Sequence, residues 1–203
     1  MTDKTATGAQ RSIGRPRDER ADRSILRATL ELMAENSAHD LRVDDVATRA
    51  RVGKATIYRR YSSKEELVAA AIAHLNSDIP LPADTGSIQG DFAATAQLVL
   101  AGAAKTGALT LMPRLLSEVV GEPEMHALFH EHLVEPRRRV VRGIVERAKA
   151  RGEIRQDVDT ELAIDLMVGP FIYRLIIAGG DEAGIGSPVD LLNTVLAGLT
   201  PRA

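Results

Sequence analysis

Two short apolar patterns, each too short to stand alone, constrain the fold of this chain more than anything else in it. Val43, Val46, Ala47 and Ala50 fall at i, i+3, i+4 and i+7, one face of a two-turn helix, and Ile57 and Tyr61 lie one turn apart in a second stretch about three residues further on. Helices of this length are unstable alone in water, because a first turn orders several residues for one hydrogen bond. They must pack on a longer partner. Ile25, Leu26, Thr29, Leu30, Leu32 and Met33 supply one, a stripe at helical spacing over about Asp18 to Asn36. A fourth helix follows with Leu67, Val68, Ala71, Ile72 and Leu75, and Ser63 with Glu66 three residues later forms a capping-box signature at its start.

After Asn76 the segment SDIPLPADTGS is rich in Pro, Gly and polar residues and reads as a loop, so a boundary falls near residue 80. The remainder reads as helices at roughly 90–106, 109–120, 123–151, 159–179 and 188–199, interrupted by Pro123, Pro136, Gly152 and the stretch from Gly179 to Gly186. Strand-like alternation and internal repeats are absent, and the class is all-α. The expected division is an arm over 1–17, a helix-turn-helix unit over 18–78 and a larger helical unit over 79–203.

Net charge carries information only by position. Residues 1–64 hold 14 Lys and Arg against 9 Asp and Glu, a net of +5, while residues 65–203 hold 12 against 19, a net of −7. A basic segment on an acidic body suits a nucleic-acid module, since neutralising phosphates is the general source of affinity for DNA. With no cysteine, disulfides and thiolate metal sites are excluded. The start, MTDKTATGAQRS, has no apolar core for a signal peptide, and the longest apolar run, near Leu166 to Gly180, is broken by Pro170 and Arg174. These features lead to the expectation of a cytoplasmic protein without membrane contact.

At 100° per residue, a helix that buries Ile57 and Tyr61 turns Ala55 and Arg59 outward, with Thr56 and Tyr58 flanking them. That face suits a major groove: Ala55 permits close approach or meets a thymine methyl, and the guanidinium fork of Arg59 matches guanine O6 and N7. Lys54, Arg60 and Lys64 lie nearer the edges, where phosphates run, and are expected to position rather than read. Tyr58 is placed for backbone or thymine contact. In the arm, Gly14-Arg15-Pro16-Arg17 resembles the core of a minor-groove hook with Ile13 where a first Arg would stand; nonspecific phosphate attraction by Arg15 and Arg17 is the simpler expectation.

The segment LRVDDVATRARVGKATIYRRYSSKEELVAAAI, residues 41–72, resembles the DNA-binding domain of the tetracycline-repressor (TetR) family. The resemblance rests on Val46-Ala47, Ala50, Val52, Lys54, Thr56, Tyr58, Tyr61 and the run Lys64-Glu65-Glu66-Leu67, and it covers about residues 20–75. It implies a homodimer that binds operator DNA through the helix-turn-helix and a C-terminal domain for ligand binding and dimerisation. Three departures stand out. Arg42 occupies the usual Thr or Ser cap position, Arg51 a turn position often filled by Gly, and Arg60 a commonly aromatic one that the family uses against phosphate.

The partners expected from this reading are double-stranded operator DNA and a small-molecule effector of unknown identity. Pocket walls are expected from Leu98, Met112, Leu116, Phe129, Leu133, Met167 and Phe171, which ordinary core packing would explain equally well. The dimer is expected through the last two helices: Leu162, Leu166, Gly169 and Ile172 on one, Leu191, Leu192, Val195, Leu196 and Leu199 on the other. His126 and His130 are four residues apart, but spacing fixes no third ligand, so no metal is assigned. Arg137, Arg138, Arg139 and Arg142 read as a solvated face, with an anionic ligand as the alternative. No triad, phosphate-cradling loop or carboxylate pair marks an enzyme, and no cofactor is implied. The competing function is a nucleic-acid-binding accessory protein without an effector.

Overall fold

The computed structural model describes residues 15–36, 38–76, 84–178 and 188–200. Among these, the chain forms helices α1 (Arg15–Glu35), α2 (Val43–Ala50), α3 (Lys54–Tyr58), α4 (Lys64–His74), α5 (Ile88–Thr106), α6 (Ala108–Gly121), α7 (Pro123–Phe129), α8 (Glu135–Ala150), α9 (Thr160–Ile172) and α10 (Pro188–Leu199). π-Helical turns at His130–Val134 and Tyr173–Ile177 join α7 to α8 and extend α9. No strand occurs among the described residues, and none of their helices is long and apolar enough to cross a membrane.

Helix α1 begins at Arg15 rather than near Asp18. Arg15 and Arg17, expected in an arm, therefore belong to its first turn, where Pro16 is favourable because its missing N–H has no helical acceptor there. The rest of the arm, residues 1–14, lies outside the described residues.

The short helices survive by the packing their sequences demand. Val46 of α2, Ile57 of α3 and Leu67, Ala71 and Ile72 of α4 are at most 1% exposed against Ile25, Leu30 and Met33 of α1. Each large apolar side chain so buried contributes about 1.5–3 kcal/mol, which outweighs the poor intrinsic stability of a five-residue helix. The same core continues past the loop at residue 80 into Leu115 of α6, Met125 and Phe129 of α7 and Leu133 of the π turn. A second core gathers Ile88 and Phe92 of α5, Ile144, Val145 and Ala148 of α8, Ala163, Ile164 and Met167 of α9, and Leu192, Leu196 and Leu199 of α10. This corrects the expected dimer surface on α10: those three leucines are 1–5% exposed within the chain's own core, and Leu191 and Val195 are half-buried. On α9 the opposite holds, with Leu162, Leu166 and Ile172 at 53%, 42% and 41% exposure.

Pro136 does not interrupt the helix as expected. Proline cannot donate to the carbonyl four residues earlier, and the π turn just before it absorbs the mismatch. The carbonyl that Pro136 leaves without its usual donor, His132 O, accepts instead from Asn76 Nδ2 at 2.9 Å. Polar contacts fix the remaining helix pairs. Buried Asp91 of α5 accepts from the Thr85 backbone at 2.7 Å and from Arg147 Nη2 of α8 at 3.1 Å. Burial pushes the Asp91 carboxyl up, but the bonds from Thr85 and Arg147 outweigh it and hold the group below its ordinary range.

The arginine run of α8 is not a simple solvated face. Arg138 meets Asp165 at 2.5 Å and Glu161 at 2.7 Å, and Arg142 meets Glu161 at 2.6 Å, clasping α8 to α9. Hydrogen bonds from Arg142 and Arg138 hold the Glu161 carboxyl at about 2. Arg139 is the member that stays largely exposed, 4.0 Å from Glu135.

Candidate nucleic-acid interface and interior chamber

The turn between α2 and α3 sets the reading surface. Arg51 closes α2 in the left-handed conformation, φ 56° and ψ 43°, and its N–H and that of Val52 satisfy the Thr48 and Ala47 carbonyls. Such a backbone costs an L-residue about 1–2 kcal/mol, of which glycine's greater chain entropy would take back about 0.5–1 kcal/mol. Arg51→Gly is therefore expected to raise the urea unfolding free energy by about 0.5–1 kcal/mol, and an unchanged or lower midpoint would contradict this account of the turn. At the other end of α2, Arg42 makes no side-chain cap, and Asp44 and Asp45 occupy the first turn, where their charge favours the helix dipole.

Helix α3 buries Ile57 and leaves Lys54, Ala55, Tyr58 and Arg59 exposed, with Thr56 half-buried. Arg59 caps the helix, and among the described residues its guanidinium has no partner. Lys54 Nζ lies 2.7 Å from Asp44 Oδ1 and 5.9 Å from the centre of the Tyr58 ring. Hydrogen bonding to Asp44 raises the ammonium further above its ordinary range, so it stays charged. Lys64 donates to His39 O at 2.8 Å. An ammonium has three donors, so two remain for a phosphate.

Arg60 is corrected from its expected place among the DNA-facing cations. Its side chain is 15% exposed, with Nε 3.3 Å from Asp22 of α1 and Nη1 donating to Thr56 O at 3.2 Å. Tyr61 donates to the same Asp22 oxygen at 2.8 Å; burial, then this bond, pushes the phenol well above its usual range. Arg60 thus ties α3 to α1. Below it, the Ser63 hydroxyl accepts from Glu66 N–H at 3.1 Å, while the Glu66 carboxylate reaches the Ser62 N–H at 2.7 Å. The capping box forms, with its return bond one residue earlier than the sequence pattern places it.

In the larger unit a cavity of about 320 Å³ opens among α5, α6, α7, α8 and α9. Met112, Leu116, Phe129, Leu133 and Phe171 line it. Leu98 and Met167 do not. On α5 the lining residues are Phe92, Thr95, Ala96, Val99 and Leu100; at 100° per residue Leu98 points well away from that stripe. Met167 turns into the second core and is fully buried there.

The chamber wall is apolar except for Thr95, Arg137 and Arg138. Arg138 is neutralised by Asp165 and Glu161. Arg137 donates through Nε to Asn76 Oδ1 at 2.8 Å and through Nη2 to Leu75 O at 3.2 Å, both neutral acceptors at the end of α4. Burial pulls its guanidinium down to about 10, which leaves it charged at neutral pH. Sequence reading did not single out this residue from its arginine neighbours, although a signal exists. At i±3 and i±4, Arg137 has Leu133, Val134, Val140 and Val141, whereas Arg138 and Arg139 have Glu135 within one turn. His126 and His130 stack at 6.3 Å between ring centres, and no group of three or more His, Asp or Glu among the described residues could hold a metal ion.

A short exposed helix on a helix-turn-helix scaffold, joined to a larger helical unit with an apolar chamber, defines a DNA-binding regulator. Two family models match: "Bacterial regulatory proteins, tetR family" over residues 25–71 and "Tetracyclin repressor-like, C-terminal domain" over residues 82–192. The chain belongs to the TetR family of transcriptional regulators. It is 33% identical to the uncharacterised HTH-type transcriptional regulator YdeS of Bacillus subtilis (strain 168), over 94% of this chain and 95% of that one. It is 32% identical to the DNA-binding transcriptional repressor TetR of Mycobacteroides abscessus, over 89% of this chain and 95% of that protein. Among solved structures it resembles the flavonoid-responsive regulator FrrA, with a TM-score of 0.64 and 25% identity over 91% of this chain and all of the other.

Proposed function

We propose that this regulator is a repressor that binds a palindromic operator as a homodimer and lets go when a small molecule fills the chamber. The observation that carries the reading is the contact between the two units: the last turn of α4, which bears the helix-turn-helix core at its other end, is hydrogen-bonded to Arg137 in the chamber wall. A ligand that binds one arrangement of α4 more tightly than another shifts the population between them.

In this reading Ala55, Thr56, Tyr58 and Arg59 enter the major groove, Lys54 and Lys64 meet phosphates, and Arg15 and Arg17 add phosphate attraction near the start of α1. Arg60 only holds the reading helix in place. The exposed apolar stripe of α9, Leu162, Leu166 and Ile172, is the dimer surface, and α10 packs against α9 within the same chain. The division into residues 18–78 and 79–203 is supported by the two family matches on either side of residue 80, and the repressing sign by the relative named as a repressor. DNA flanking the protein's own gene, footprinted with the purified chain, is expected to show a protected, roughly two-fold symmetric site. Protection of no segment, or equal affinity for unrelated DNA at the same salt, would count against the reading.

A further inference from the structure

Among the described residues, the chamber wall includes one cation, Arg137, with no counter-charge. Arg138 shares the wall but is matched by two carboxylates, whereas the two acceptors that Arg137 meets, Asn76 Oδ1 and Leu75 O, are both neutral. A guanidinium has five N–H donors arranged along edges. Nε and Nη2 form the side-on edge, and this edge is spent on Asn76 Oδ1 and Leu75 O. The end-on edge, made by Nη1 and the second hydrogen of Nη2, carries no hydrogen bond among the described residues. Two parallel N–H groups in that geometry match the two oxygens of a carboxylate, and a charge pair gains strength where water is scarce. The remaining wall, Phe92, Val99, Leu116, Phe129 and Phe171 among others, suits an apolar body. At about 320 Å³ the cavity lies at the low end of the roughly 300–1,000 Å³ of ligand pockets.

We infer that the chamber takes a small amphipathic carboxylate, its apolar body among the phenylalanines and its carboxylate on the end-on edge of Arg137, whose other edge holds the last turn of α4. The inference rests on the ligand-responsive reading above and narrows it to a ligand class. Because one rigid, planar group touches both ligand and α4, a carboxylate that draws the guanidinium toward the chamber also displaces Leu75 and Asn76. Asn76 in turn bonds His132 O and Leu133 O, so the displacement is felt on both sides of the joint.

The experiment uses three probes that share one chain length and differ in head group: decanoate, decan-1-ol and decyltrimethylammonium. Calorimetric titration of the full-length wild-type protein is expected to show decanoate binding at least about tenfold more tightly than decan-1-ol, a difference of about 1.4 kcal/mol, and the cation weakest. Arg137→Gln is expected to abolish the preference for decanoate while retaining decan-1-ol binding. Decanoate is also expected to lower the affinity of the wild-type protein for its footprinted DNA. Equal or tighter binding of decan-1-ol to the wild-type protein overturns the inference without any variant, which covers the case of an Arg137→Gln chain that does not fold. So does a folded variant that keeps the preference, or a wild-type protein that binds none of the probes. If the ligand-free protein still protects its operator in those cases, the regulatory reading stands and only the ligand class falls.

Discussion

Replacing Leu162 and Leu166 together with Glu is expected to leave each chain folded and to abolish tight operator binding. Both side chains are exposed, at 53% and 42%, so neither substitution disturbs the chain's own cores. They lie one turn apart on α9, and continuing along the same helix reach Gly169, where an added Cβ would meet nothing within 4 Å, and then exposed Tyr173 and Ile177. Monomeric soluble proteins rarely leave so continuous an apolar stripe in water. A second copy packing through a two-fold axis would cover it. Carboxylates at its centre would be buried without partners, at a cost large enough to prevent association. Linking two half-site readers raises affinity by roughly 10²–10⁴-fold, and a monomer forfeits that factor. Sedimentation should show monomers with unchanged far-UV circular dichroism. A variant that still sediments as a dimer would move the interface elsewhere. The same substitution at Leu192, which is 1% exposed, would unfold the second core and could not test assembly.

The second large effect concerns which side chain reads bases. Arg59 is exposed beside buried Ile57, and among the described residues nothing holds its guanidinium. A bidentate Arg to guanine is worth about 1–3 kcal/mol of discrimination. Arg59→Ala is accordingly expected to flatten the preference at one symmetric pair of operator positions. Lys64→Ala removes the same charge from a site where the ammonium already donates to His39 O, and it is expected to weaken all sequences about equally. Binding to a panel of single-base operator variants at fixed salt separates the two outcomes. If Arg59→Ala retains the full pattern of preferences, the groove is read by Thr56 or Tyr58 and Arg59 contacts phosphate.

The helices were legible because their apolar spacing is regular and their ends carry ordinary signals. Val46, Ala47 and Ala50 are buried as spaced, and Ser63 caps α4. The cost at Arg51 could also be foreseen from its place in the turn. What could not be read were contacts that depend on distant partners. Nothing local to Arg60 tells that Asp22, far back on α1, will claim it. Leu192 and Leu162 look alike in sequence, and only the packing of α10 against α5 and α9 buries the first, while the second lies on the uncovered face of α9. Pro136 signals a break, but a bond from Asn76 lets the chain remain helical through it. Arg137 lay between these cases: its apolar neighbours at i±3 and i±4 mark it as unusual, while its role depends on where α4 ends.

The first core runs without a seam from α1–α4 into α6, α7 and the π turn. A chimera made by cutting at the loop near residue 80 and grafting a relative's reading head would present Leu115, Met125, Phe129 and Leu133 to a surface that did not evolve to cover them. Transplanting DNA specificity between relatives at that point therefore means redesigning the underside of the grafted head, whereas altering Ala55, Thr56, Tyr58 and Arg59 alone leaves the shared interior untouched. Divergence of operator preference is thus expected to proceed by changes on the outer face of α3, not by shuffling of whole modules.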